Sequence, residues 1–230
     1  MSADHELPEL RDLPVPTPPP LSALLESELA QLAPVATRRP LRQLAILVAL
    51  SLIYGTGIVV RVAIRPDLHE LPMYWLLGVG LAWLIGFVAP LYLATVPRTG
   101  AILPRWRLAG ITSVVVSVLF VCLGLLVHPE GPHSAHLSHF GRGYGCLEVG
   151  LAAALVPVVA GAIFLRGALP VGSRWTAAAL GAGGGSLGGL VLHLHCQVVD
   201  GLHVGLIHGG VVGVAALLAA AVVPRATDLR

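Results

Sequence analysis

The chain contains no lysine: all 14 basic residues are arginine, and charged residues of both signs fill only 11% of its 230 positions. Soluble domains carry charge on about a quarter of their residues, so this scarcity excludes a mainly water-facing surface. With 12 acids the net charge is only +2, which leaves no bulk positive field for nucleic acid, and no direct nucleic-acid contact is expected. The basic region and short apolar core of a cleaved secretory signal are also missing, because residues 1–20 are acidic and proline-rich. The first hydrophobic run is therefore expected to stay as an anchor. Arginine in place of lysine, with abundant Ala, Gly, Leu and Val, is the bias of a GC-rich bacterial genome.

What the chain has in plenty is apolar length. Hydrophobic residues make up 56% of it and the mean hydropathy is +0.84. About 20 apolar residues are needed to cross a hydrocarbon core as a helix, and six runs qualify: 44–63, 73–96, 108–127, 146–165, 176–194 and 198–223. Lipid offers no partner to an open backbone, so these runs predict helices and not strands. The expected fold is all-α and polytopic: a cytoplasmic tail over 1–42, a six-helix transmembrane domain over 43–224 and a short C-terminus over 225–230. Arg38, Arg39 and Arg42 precede the first run, Arg98, Arg105 and Arg107 separate the second from the third, Arg166 and Arg174 the fourth from the fifth, and Arg225 and Arg230 follow the sixth. The opposite loops hold Arg61, Arg65 and Arg142. Basic residues in short loops stay cytoplasmic, so both termini are expected inside. Trp75, Trp106 and Trp175 fall at span starts, where an indole sits well among lipid headgroups.

Two glycine ladders bear on packing. Gly181, Gly185 and Gly189 recur every fourth residue in the fifth span, as do Gly201, Gly205, Gly209 and Gly213 in the sixth. Small residues at this spacing let helices approach closely in lipid, which predicts that spans five and six pack face to face. A phosphate-loop reading of 181–189 fails because no Gly-Lys-Ser/Thr follows.

On this topology nine of the ten histidines collect toward the outer side: His69, His128, His133, His136, His139, His193, His195, His203 and His208, with His5 on the other. Cys146 and Cys196 sit at the same edge. Imidazole and thiolate are ligands for zinc and related transition metals, so His133, His136, His139, His193, His195, His203 and His208 are candidate ligands and a metal such as zinc a candidate cofactor. His136 with His139, and His193 with Cys196, share a face if helical. His203 and His208, five apart, diverge on an α-helix and need a break in it to meet at one ion. Against the metal reading stands the plain one, polar loop residues at a headgroup surface, strongest for the third-loop histidines; within a span, ionisable groups more often have a purpose. Cys146 and Cys196 come near each other if spans four and five are antiparallel neighbours; an oxidising outer compartment then allows a disulfide, or a redox- or metal-reactive dithiol. Cys122, inside span three, reads as an inert small apolar residue.

The tail carries LSALLESELAQLAPV after a proline-rich stretch. Leu21, Leu25, Leu29 and Leu32 form one apolar stripe, Ser22 is a cap candidate and Pro34 a stop. So short a helix is marginal in water, and its stripe calls for a partner's groove if it is more than a linker.

These elements resemble a family: the multi-span membrane anti-sigma factors similar to the negative regulator of sigma F (NrsF-like). The resemblance lies in the short tail helix leading to PLRQLAILVAL, in Cys146 within GCLEVGLAAALVP, and in the glycine-rich fifth span ending LHLHC at Cys196. It implies that the tail, through Leu21, Leu25, Leu29 and Leu32, sequesters an extracytoplasmic-function sigma factor, and that Cys146 and Cys196 help sense a metal or oxidative stress signal, in a multi-pass protein of the bacterial inner membrane with lipids around it. The departures are Gln197 and Val198, where the family has proline and acids, and His203 and His208, where aromatics are usual. The expected function is thus a non-enzymatic anti-sigma regulator. The alternative is a membrane metalloprotein, either a metal-handling permease or a haem- or metal-dependent redox enzyme, using the outer His and Cys residues. The spans lack acid pairs for an ion path and any His-Glu-x-x-His or Ser/Lys protease signature. A third reading, a structural assembly subunit, fits the glycine ladders alone.

Overall fold

Where no solvent can pair with a peptide group, the chain must satisfy its own backbone, and each of the six apolar runs closes into a helix. The computed structural model describes residues 39–97, 103–126, 143–166 and 173–227, with side chains to 226. Leu21, Leu25, Leu29 and Leu32 and the third-loop His133, His136 and His139 lie outside the described residues. The helices are α1 (Pro40–Val62), α2 (Met73–Thr95), α3 (Arg105–Leu126), α4 (Gly143–Leu165) and α5 (Ser173–His195). The sixth span, α6, opens as a π-helical turn over His203–His208 and continues as α-helix over Gly209–Thr227. All six are long and apolar enough to cross a membrane, and no strand occurs among the described residues. The fold is the all-α polytopic bundle the sequence predicts.

Prolines mark several helix starts. Pro40 occupies the first turn of α1, where its missing N–H costs nothing. The carbonyls of Pro72 and Pro104 accept the first amides of α2 and α3. Large apolar side chains such as Ile53, Val60, Leu77, Leu126, Ile163 and Leu217 point out of the bundle, as a lipid-facing surface requires.

The organising element is α5. In its most hydrophobic 18-residue stretch 89% of residues are buried, against 44% at most in the other spans, yet its mean hydropathy there, 1.3, is the lowest of the six. A helix that meets other helices instead of lipid has no need of bulky apolar side chains, and small residues bring its neighbours close. Any Cβ added to Gly183 would press on Leu91 and the Phe87 carbonyl of α2, and one added to Gly184 on Ala154 of α4. At Gly181 it would strike Ala215 and Ala216, and at Gly185 Val211 and Val212, all in α6. Around this axis lie two apolar clusters, one of Leu47, Phe87, Leu91, Leu180 and Leu187, the other around Trp83 and Phe120, whose rings stack with centroids 3.7 Å apart and planes 7° from parallel.

Spans five and six pack face to face as expected, with Gly181 and Gly185 against α6, though other ladder glycines lie elsewhere. Gly189 meets Trp83 of α2, Gly205 and Gly209 lie against α3, and Gly213 has nothing within 4 Å; every face of α5 has a neighbour, so a stripe alone does not say which. Two expectations need correction. Trp75 is not at the lipid boundary: it is buried and lies against His193, ring centroids 4.7 Å apart, because the start of α2 is covered by the end of α5. Cys122 is small and apolar but faces out of the bundle.

Candidate functional site

The C-terminal ends of α1, α3 and α5 and the N-terminal ends of α2, α4 and α6 share one end of the bundle. Here the connection 63–72 is fastened to the end of α5. The Arg65 amide donates to the Leu194 carbonyl at 3.0 Å, and His195 Nδ1 donates to the Ala63 carbonyl at 2.8 Å. A carbonyl only accepts, so the proton is on Nδ1. Ala63 holds φ 71° and ψ 149°, a backbone region costly for any residue with a Cβ, and its carbonyl is aimed at His195 from that conformation. Arg65 is 3% exposed. Its guanidinium grips Asp67 with two hydrogen bonds, 2.8 and 2.7 Å, and a third, 3.4 Å, reaches the Gln197 carbonyl. That fork holds the Asp67 carboxyl below its ordinary pKa, the hydrogen bond from Arg65 being the main cause and outweighing partial burial.

Beneath this clamp four side chains converge. Cys146 comes from the first turn of α4, Cys196 from the residue after α5, and His203 and His208 from the π-helical start of α6. The two sulfurs are 3.6 Å apart, and Cys196 Sγ is 3.5 Å from His203 Nε2. One donor atom from each of the four residues falls within 4.8 Å of every other. The imidazoles meet edge to face, centroids 5.1 Å apart at 79°. Cys196, His203 and His208 are buried and Cys146 is half-buried.

The meeting of His203 and His208 has a local cause. Five residues on an α-helix subtend about 140°, which sends the two rings to different sides. A π-helix hydrogen-bonds each amide five residues back, a wider turn that brings positions five apart toward the same side. The break that the spacing demands is present in that form. Gly205, between the two histidines, and Gly209 let this segment lie backbone to backbone on α3, at Gly124, Phe120 and Val121.

Of the other candidates, His193 and His195 do not join the cluster. His193 Nε2 donates to the Leu76 carbonyl at 3.1 Å and its ring leans on Trp75, while His195 is taken by Ala63. Both are used as donors to backbone carbonyls that tie α5 to its neighbours. Sequence reasoning passed over Arg65 as a topological count; its signal was Asp67 two residues on, a fork partner in a short loop. Asp200, just ahead of the π-helical turn, is buried, and its carbonyl accepts the Val204 amide at 2.9 Å.

Two thiols and two imidazoles without a carboxylate can bind a soft or borderline metal ion or undergo thiol oxidation. The family described as negative regulator of sigma F matches residues 29–228. No curated protein and no solved structure matches the chain. The match runs through all six helices and all four converging residues, and the chain belongs to the NrsF family of negative regulators of sigma F.

Proposed function

We propose that this protein is a membrane-anchored anti-sigma factor of the bacterial inner membrane. It holds an extracytoplasmic-function sigma factor through its N-terminal tail and releases it when a metal or redox signal reaches the outer side. Membership of a family of negative sigma regulators carries the reading, and the cluster of Cys146, Cys196, His203 and His208, whose donor atoms could hold a metal ion, supports its sensing half. The arginine asymmetry puts that cluster at the outer edge and the tail inside. Signal and output then lie on opposite sides of the bilayer, with the bundle between them. A redox signal would act on the two sulfurs: a peroxide oxidises the thiols to a disulfide, taking two electrons and two protons and leaving two waters when the oxidant is hydrogen peroxide. A metal-handling protein would use the same four residues, but it would have no use for an apolar leucine stripe ahead of the first span.

The test is capture of a co-expressed extracytoplasmic-function sigma factor by the full chain in detergent, with a target-promoter reporter in parallel. Each buried leucine contributes about 1.5–3 kcal/mol. Changing Leu25→Asp and Leu29→Asp together should therefore weaken capture by about a hundredfold or more and release the promoter, with membrane insertion unchanged. Wild-type capture and repression by the double variant would remove the tail from the proposal.

A further inference from the structure

We propose that Cys146, Cys196, His203 and His208 form one tetrahedral site for a divalent cation of the zinc class, which joins the start of α4 to the π-helical start of α6. The inference deepens the sensor reading above, and rests on it for its physiological meaning; its geometry stands apart from that reading.

The distances carry the argument. Zinc binds thiolate at about 2.3 Å and imidazole at about 2.0–2.1 Å, so in a regular tetrahedron two sulfurs are about 3.8 Å apart and a sulfur and a nitrogen about 3.6 Å. Here the sulfurs are 3.6 Å apart and Cys196 Sγ lies 3.5 Å from His203 Nε2. Two edges of the tetrahedron are already at length, and all six fall within 4.8 Å.

Satisfaction of polar groups points the same way. His208 Nε2 is buried and makes no hydrogen bond among the described residues, and His203 Nε2 has only the Cys196 sulfur, 3.5 Å away. A thiol is a weak donor, so the four groups do not close into a good network by themselves, and buried polar groups left so call for an ion or water. A disulfide between Cys146 and Cys196 would account for two of the four residues and leave both histidines buried without purpose. A bound cation uses all four. Charge is consistent as well, since two thiolates cancel a divalent ion and leave no net charge buried. The absence of carboxylate ligands disfavours magnesium and calcium, and an S2N2 donor set with tetrahedral geometry selects zinc and its congeners.

The π-helical turn gives the site its specificity within the fold. An α-helical start to α6 would turn one imidazole away, so the ion and the π conformation favour each other.

The experiment uses the full chain in detergent or nanodiscs with Zn2+, Co2+ and Cd2+ as probes. One equivalent per chain is expected, Co2+ should give the intense visible and thiolate charge-transfer bands of a tetrahedral thiolate site, and cadmium NMR should report two sulfurs. Cys146→Ser, Cys196→Ser, His203→Ala and His208→Ala should each lower affinity about a hundredfold or more, because outer-sphere partners alone are worth 10–100-fold. His193→Ala and His195→Ala should bind as the wild type does. Cadmium NMR on the intact wild type guards against variants that fail to fold. The site is overturned if the wild type binds less than one equivalent, if cadmium sees fewer than two sulfurs, or if the His193 and His195 variants lose metal as the His203 and His208 variants do. Stoichiometric binding that leaves sigma capture unchanged supports the site and removes the sensor reading; thiol-dependent release without metal binding does the reverse.

Discussion

Replacing Gly124 with alanine should disturb the Cys/His cluster although Gly124 touches none of its side chains. A Cβ at this position would lie 2.5 Å from Gly205 Cα, 2.6 Å from Gly205 N and 2.8 Å from the Val204 carbonyl carbon. All three are backbone atoms, so no rotamer change relieves the overlap. Ordinary contact begins at about 3.4 Å, and α3 and the start of α6 must separate by the difference, close to 1 Å. Overpacking costs about 1–3 kcal/mol, while alanine in place of glycine in a helix returns up to about 1 kcal/mol. The net loss is about 0–3 kcal/mol, a modest fall in thermal stability. The cluster should respond more sharply, because His203 and His208 flank Gly205 and metal–ligand distances hold to about 0.2 Å. Gly210→Ala is the control: nothing lies within 4 Å of its Cβ, so it keeps the propensity gain. Thermal unfolding in detergent and the yield of oxidant-induced Cys146–Cys196 crosslinking would be compared among wild type and both variants. If Gly124→Ala crosslinks and melts as Gly210→Ala does, the backbone contact does not position the π-helical turn.

The Arg65–Asp67 fork sets a pH dependence. The carboxyl titrates below its unfolded value of about 3.9, so its stabilisation is complete above that value and disappears as pH falls through the lower native one. Asp67→Asn should cost about 1–2 kcal/mol near neutrality, at the lower end for bonds to charged groups since Asp67 is 31% exposed, and the gap in melting temperature should close below about pH 4. An equal gap at pH 3 and pH 7 would refute the pairing. Ala63→Gly should stabilise by about 0.5–2 kcal/mol, because strain relief of about 1–3 kcal/mol exceeds the added unfolded-state entropy; a lower melting temperature would show that Ala63 is not strained. Reporter fusions at the C-terminus and in the third loop should label opposite sides of the membrane, and a periplasmic C-terminus would end the assignment of inside and outside.

The six spans were legible because lipid imposes a single requirement that composition alone meets: α2 begins at Met73 and α4 ends at Leu165, both as the apolar runs place them. Partner choice was not legible. The spacing of Gly181, Gly185 and Gly189 states that something comes close, and the structure supplies α6 for the first two and Trp83 for the third. A helix surrounded on every side has several valid stripes, and hydropathy cannot rank them. Trp75 was misplaced for a related reason: an indole at a span start suits a headgroup only if no helix end covers it, and His193 on α5 does.

At the site, the approach of Cys146 and Cys196 followed from antiparallel neighbours, since each sits at a helix end that the connectivity brings to one level. His203 and His208 were separated by the assumption of 3.6 residues per turn, and the fold replaces that period just where the two rings must meet. The place is mechanically sensible. From Gly209 onward α6 is fixed in register: its backbone abuts Gly181 and Gly185 of α5 and Phe120 and Val121 of α3. An inserted residue cannot be absorbed there without driving backbone into backbone. Above Gly209 the chain comes from the non-helical segment 196–200, which can take up the extra rotation. The wide turn therefore falls at the top of α6, and Gly205 keeps it seated on Gly124. It follows that any change in the separation of the four donor atoms is passed to α3 and α4 through main-chain contacts, which yield far less than side chains do.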